Sequence, residues 1–178
     1  MRRALSTALA AVVLSGGTIV AAAPAHAGVQ GCDSSGTYIA IINKKTVWKP
    51  TNIHSDWARP GVTISYAKNK TGSWTATGTA TVGAEAGVIF AKASTSFSVS
   101  LAKTWTKSDT WTYSATVQRK AGKTKGRLMM YHDAKSFTAH KYRVYTGAGG
   151  VCKTQTVYKK PGVIPVKANN NLWGIQYS

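Results

Sequence analysis

The residues able to do chemistry are few. Cys32 and Cys152 are the 2 cysteines of the chain. In an oxidising compartment an even pair is most simply a disulfide. Here it would tie the start of the domain to a point near its end. Closing so long a loop restricts the unfolded chain by about 5 kcal/mol in the chain-entropy account, less any native strain. A second concentration is cationic: Arg119-Lys120-Ala121-Gly122-Lys123-Thr124-Lys125-Gly126-Arg127. Its glycines mark an exposed loop, and Arg119, Lys120, Lys123, Lys125 and Arg127 are candidates to bind an anionic partner.

Catalytic constellations are missing from the pattern. His54-Ser55-Asp56 contains the residue types of a hydrolase triad. Neighbours in sequence do not make triad geometry, and no Gly-x-Ser-x-Gly elbow is present. The acids Asp33, Asp56, Glu85, Asp109 and Asp133 are scattered, so no paired-carboxylate site is expected. His54, His132 and His140 lack a second ligand at metal-site spacing. Gly122-Lys123-Thr124 fails as a phosphate loop, because the required earlier glycine is Val117. The expectation is a non-enzyme with no catalytic residue, no metal and no cofactor.

The disulfide expectation depends on export, and the first residues supply that. Arg2-Arg3, an apolar stretch from Ala4 to Val20, and Ala25-His26-Ala27 follow the order of a secretory signal peptide. Cleavage after Ala27 leaves Gly28 first, so the division is a signal peptide at 1–27 and a single β-rich domain at 28–178. The protein is expected to be secreted and extracellular. Val29-Gln30-Gly31-Cys32 is a competing lipoprotein box, but Gln30 fits it badly and a lipid on Cys32 would strand Cys152. Without Arg2 and Arg3 the domain has 21 Lys and Arg against 5 acids, a formal charge of +16. Such a charge favours polyanionic partners.

The elements that must carry these groups are strands. Thr, Ser, Val, Tyr and Trp are abundant, with frequent Gly and Asn. The fold class is all-β, an antiparallel sandwich or twisted sheet with one disulfide. Strands are expected at Thr37–Ile42 and Val62–Ala67, with a loop over Lys49–Pro60 in which Trp57 packs inward. Lys68–Gly72 reads as a turn. From Ser73 to Val82, Ser and Thr occupy the odd positions and Trp, Ala, Gly and Val the even ones. The apolar block 84–93 is either a short helix or a buried turn of chain. Alternation resumes with Phe97, Val99, Leu101 and Trp105 odd and continues to Val117. That run is one very long strand or a hairpin turning at Lys107-Ser108-Asp109. Further strands are expected at Leu128–His132, Ser136–Thr146, Val151–Tyr158, Gly162–Val166 and Leu172–Tyr177, with Gly147–Gly150 as a hairpin loop.

Such alternation is what an ordinary sheet shows when one face is buried and one is wet. It is also what a membrane-crossing strand shows, and about 9–11 tilted residues suffice. In that reading 73–82 and 95–105 insert, and Val88, Ile89 and Phe90 form an apolar tip. Thr77–Leu101, centred on the block Gly83-Ala84-Glu85-Ala86-Gly87-Val88-Ile89-Phe90-Ala91-Lys92-Ala93, resembles small secreted β-rich proteins of high-GC Gram-positive bacteria. The late cysteine and Ile164-Pro165-Val166 carry the same resemblance. The Ser/Thr-rich strands also resemble the stem strands of aerolysin-type toxins, which implies insertion into membranes.

Two functional expectations follow. One is a secreted, basic, non-enzymatic binding protein. It would act on an anionic envelope polymer, or as an adaptor for another secreted or envelope protein, for instance within an antibacterial toxin assembly. The other is an aerolysin-like pore former. Lys141-Tyr142-Arg143-Val144-Tyr145 interleaves cations with aromatics, but no recognised nucleic-acid motif is present, and no specific nucleic-acid partner is expected.

Overall fold

The computed structural model describes residues 32–178. The signal peptide expected over 1–27, with its cleavage site, and Val29-Gln30-Gly31 of the lipoprotein box lie outside the described residues. The fold is all-β and antiparallel, with one helix. In chain order it runs β1 (Gly36–His54), β2 (Thr63–Thr75), α1 (Ala86–Phe97), β3 (Thr104–Thr116), β4 (Gly126–Thr146), β5 (Cys152–Pro165) and β6 (Asn171–Tyr177).

The strands merge where shorter ones are expected. β4 is continuous through Asp133-Ala134-Lys135 because both of its edges are paired there. β1 lies along one edge, from Gly36 opposite Val144 to His54 opposite Met129. On the other edge β6 covers Gly126–His132 and β5 covers Ala134–Thr146. The Lys135 ammonium is satisfied at this buried site by Asp133 at 3.0 Å and by the Thr46 hydroxyl at 3.0 Å. β1 and β5 run through Pro50 and Pro161, which lack an N–H; both flank central β4 rather than lying between two long partners.

β2 and β3 form a separate ribbon. The expected turn at Lys68–Gly72 is instead the middle of β2. Asn52 of β1 accepts the Ser73 N–H and donates to the Thr71 carbonyl, and the Trp111 indole donates to the Lys70 carbonyl. Of the two alternatives at Lys107-Ser108-Asp109 the strand holds and the hairpin turn does not, with Ser108 paired to Thr71. Lys107 and Asp109, two apart on one face, form a 2.8 Å ion pair.

The ribbon packs its even β2 and odd β3 positions on the large sheet. Tyr66, Trp105 and Trp111 join Ile53, Leu128 and Met130 in one core. A second core lies under α1, where Ile89, Ala93 and Ala80 meet Phe137, Ala139 and Ile164. Each large aliphatic side chain buried this fully contributes about 1.5–3 kcal/mol. The Cys32–Cys152 disulfide is formed, with Cα atoms 5.3 Å apart across a sequence separation of 120. It pins the chain preceding β1 to the start of β5, where β4 ends.

Candidate functional site

The segment joining β2 to β3 is the unusual part of this fold. A hairpin ribbon normally closes through a few residues. Here residues 76–103 intervene, folded as a single 3-10 turn, α1 and a return loop laid along the large sheet. The expected strands 73–82 and 95–105 are therefore not strands over most of their length. Only Ser73–Thr75 and Thr104–Trp105 are, because helical packing of 86–97 on the sheet overrides the period-2 pattern. The block at 84–93 takes the helical option. Of the proposed tip, Val88 is exposed, Phe90 is half-buried and Ile89 is in the core at 2%.

The ribbon register gives that segment a second reading. Thr75 pairs with Thr104 and Trp74 with Trp105. Continued without a slip, the same register sets Ala76 opposite Lys103, Gly78 opposite Leu101, Ala80 opposite Val99 and Val82 opposite Phe97. Ala84 then faces Thr95, Ala86 faces Ala93, and the turn falls at Val88–Ala91. Directly opposed residues share a face, so these pairs make one nearly continuous apolar face. The other face receives Thr77, Thr79, Thr81, Gly83, Glu85 and Gly87 against Ala102, Ser100, Ser98, Ser96, Ser94 and Lys92. A one-residue slip would scramble both faces. The water-facing side of the existing ribbon already has this character. Thr63–Thr116, Ser65–Ser114, Thr71–Ser108 and Thr75–Thr104 are hydroxyl pairs at 2.6–3.2 Å.

The segment thus carries two overlapping periods. Ile89, Ala93 and Phe97, spaced four apart, hold the helix to the sheet. The alternation serves only an extended chain. The helix that wins in this structure is weak on its own account. It has 12 residues with Ser94, Thr95 and Ser96 in its last turn, and helices this short need tertiary contacts.

Those contacts are specific. Glu85, just ahead of α1, receives the Lys141 ammonium of β4 and the Tyr158 hydroxyl of β5. Its carboxyl is held below the ordinary range, chiefly by the Lys141 hydrogen bond and then by Tyr158. The Tyr158 phenol is pushed up to about 12 by burial and by Glu85. At the other end Lys44 donates to the Ser96 carbonyl at 3.0 Å and lies over the Phe97 ring. Thr77 and Val163 exchange both backbone hydrogen bonds, at 2.9 and 2.8 Å. Gly78 has φ +102°, and a Cβ there would sit 2.6 Å from the Pro161 carbonyl oxygen, so only glycine fits this crossing.

The predicted basic residues lie at the opposite end of the ribbon. Thr63 starts β2 and Thr116 ends β3 at one pole, where Val117 pairs with Gly61 and Val62, and Ala58 with Gly126. The loop after Val117 carries Arg119, Lys120, Lys123 and Lys125, all exposed. The fold adds Arg59, which the sequence reading missed because it lies 60 residues upstream of Arg119. Arg59, Pro60, Arg119, Thr124 and Lys125 line an open hollow of about 500 Å³. Arg127 does not share it. Its guanidinium lies 4.6 Å from the Trp57 ring centroid and donates to Gln176 at 2.8 Å. Lys120 lies 5.2 Å over the Tyr177 ring. Trp57, expected to pack inward, is 41% exposed as the platform for Arg127.

No protein-family model matches the chain, and no curated protein matches it either.

The remaining candidates have structural partners. The Ser55 hydroxyl donates to the Asp56 carbonyl and accepts the Leu128 N–H, so both of its bonds go to backbone groups. The His132 ring is buried against Trp105 at 4.1 Å and bonded to Asn171 and the Val166 carbonyl. His140 meets Thr156 at 2.9 Å. No helix among the described residues is long and apolar enough to cross a membrane, which leaves crossing by strands untouched.

Proposed function

We propose that this chain is a β-pore-forming protein whose inserting element is the β2–β3 ribbon extended through residues 76–103. One observation carries the reading: the register observed in the ribbon, continued unchanged, sorts residues 76–103 into an apolar and a hydroxyl-rich face. Each arm, 76–88 and 91–103, exceeds the roughly 9–11 residues a tilted strand needs to cross. The lone cation on the apolar face, Lys103, sits at the ribbon end, outside the crossing zone. Copies of such a hairpin side by side close into a barrel with no unpaired edge, which is the form in which strands cross lipid. The hydroxyl face then lines water. Secretion and the +16 charge fit a protein that meets anionic lipid bilayers from outside.

Stapling the segment down tests this. Thr77 and Val163 form a hydrogen-bonded antiparallel pair, whose Cα atoms are about 5.5 Å apart, inside disulfide range. The double variant Thr77→Cys/Val163→Cys should release no dye from phosphatidylglycerol vesicles when oxidised and regain release when reduced. Wild type treated with the same reductant is the control. Equal release by the oxidised and reduced forms sinks the reading.

The second reading, a non-enzymatic binding protein acting through its basic surface, is favoured by the cationic pole. The two readings are compatible, because the pole and the hairpin occupy different ends of the ribbon.

A further inference from the structure

We infer that the cationic pole is a docking surface for a linear polymer bearing phosphate esters, and that this polymer stands away from the bilayer rather than in it. The pole gathers Arg59, Arg119, Lys120, Lys123, Lys125 and Arg127. The ion pairs among the described residues use Lys107, Lys135 and Lys141, so three of the five acids are committed elsewhere. Arg59 and Arg119 line one hollow with Lys125 and Thr124. Two forked guanidiniums, an ammonium and a hydroxyl suit the oxygens of a phosphate better than an apolar ligand. Lys120 and Arg127 lie over aromatic rings, which limits their freedom and reduces the ordering cost of binding.

Strand direction decides where the ligand must be. β2 leaves the pole at Thr63 and reaches Thr75, where the hairpin would continue. Thirteen strand residues span about 43 Å at roughly 3.3 Å each. Electrostatic attraction between exposed charges fades over about 8–10 Å at physiological salt. When the hairpin enters a bilayer the pole is several screening lengths above it, so lipid headgroups cannot be its ligand. The stand-off part of this inference rests on the pore reading, whereas the anion-binding part does not.

The test uses Arg119→Gln/Lys123→Gln/Lys125→Gln, all exposed positions, with linear inorganic polyphosphate as one probe and phosphatidylglycerol vesicles as the other. Calorimetric titration of wild type with polyphosphate should show salt-sensitive binding that the triple variant weakens at least tenfold. Dye release from the vesicles should stay within twofold of wild type. Absence of polyphosphate binding at about 0.1 M salt overturns the docking surface. Parallel loss of polyphosphate binding and vesicle release overturns the stand-off geometry and makes the pole a lipid-facing surface. Vesicle sedimentation reads the lipid arm independently of release, so failure of the pore reading and failure of the pole are separate results.

Discussion

Tyr158 donates its phenolic hydrogen to the Glu85 carboxylate at 2.5 Å, while the Lys141 ammonium holds the other oxygen. One strand-borne pair thereby fixes the chain just before α1. The carboxylate belongs to the segment that would leave the sheet in the proposed hairpin, and both donors belong to β4 and β5.

This tether gives a pH prediction. The Glu85 carboxyl lies below its ordinary value of 4.5, through Lys141 first and Tyr158 next. A depressed carboxyl adds stability above its unfolded pKa, and that stability is lost as pH falls through the folded value. The tether is intact at neutral pH and opens in acid below 4.5. The phenol, raised to about 12, keeps its donor well past neutrality, and its contribution is lost only as pH climbs from 10 through that value. Dye release by wild type should accelerate in acid. Glu85→Gln should release faster at neutral pH and show a flatter acid response. An acid response in Glu85→Gln as steep as in wild type would assign the trigger to another group.

Val82 distinguishes the folded state from the proposed inserted one. It is 67% exposed in this structure, so Val82→Lys should change stability by no more than about 0.5 kcal/mol. In the extended register it lies on the apolar face opposite Phe97, and a lysine near the middle of a bilayer costs about 2–4 kcal/mol per chain. Thr79→Lys, on the hydroxyl face, carries the same charge without that cost. Thermal melts of the two variants should match wild type. Vesicle release should be lost in Val82→Lys and kept in Thr79→Lys, whose pores should shift toward anion selectivity.

Much of this was legible from residue types alone. The all-β class and the Cys32–Cys152 bridge follow from composition and cysteine count; the basic loop expected over 119–127 is exposed loop through Lys125, while Gly126 and Arg127 begin β4. Strand lengths were not legible. Lys68-Asn69-Lys70-Thr71-Gly72 has turn composition, yet Asn52 and Trp111 supply its backbone with partners, and no local rule registers a neighbour from another strand. Residues 73–82 and 95–105 were misplaced for a different reason. Their alternation is real, but Ile89, Ala93 and Phe97 superimpose a helical period that wins once β4 and β5 supply a surface. Arg59 joined the pole only through pairing of Ala58 with Gly126, which no spacing announces.

The disulfide should matter to the sheet end and not to the ribbon. It joins Cys32 to Cys152, which pairs with Thr146 at the end of β4. Cys32→Ala/Cys152→Ala should lower global stability by about 2–5 kcal/mol, read as the midpoint of denaturant unfolding. Hydrogen exchange should report the loss first at the Gly36 end of β1 and the Cys152 end of β5. Loss of protection concentrated instead in β2 and β3 would mean the bridge acts elsewhere.

Ile164 offers a way to loosen α1 without altering the segment proposed to insert. It is fully buried on β5 and packs in the core beneath Ile89 and Ala93. Removing its side chain to alanine costs about 2–5 kcal/mol, and some of that falls on docking of the helix. If insertion requires α1 to leave the sheet, Ile164→Ala lowers the barrier to leaving while the hairpin sequence is unchanged. Release at 25 °C, measured per folded protein well below the melting midpoint, should be faster than wild type even though the protein is less stable overall. Amide exchange across Ala86–Phe97 should speed up by a comparable factor while the middle of β4 stays protected. Slower release with unprotected β4 would mean that the substitution only unfolds the domain, and would remove α1 undocking as the controlling step.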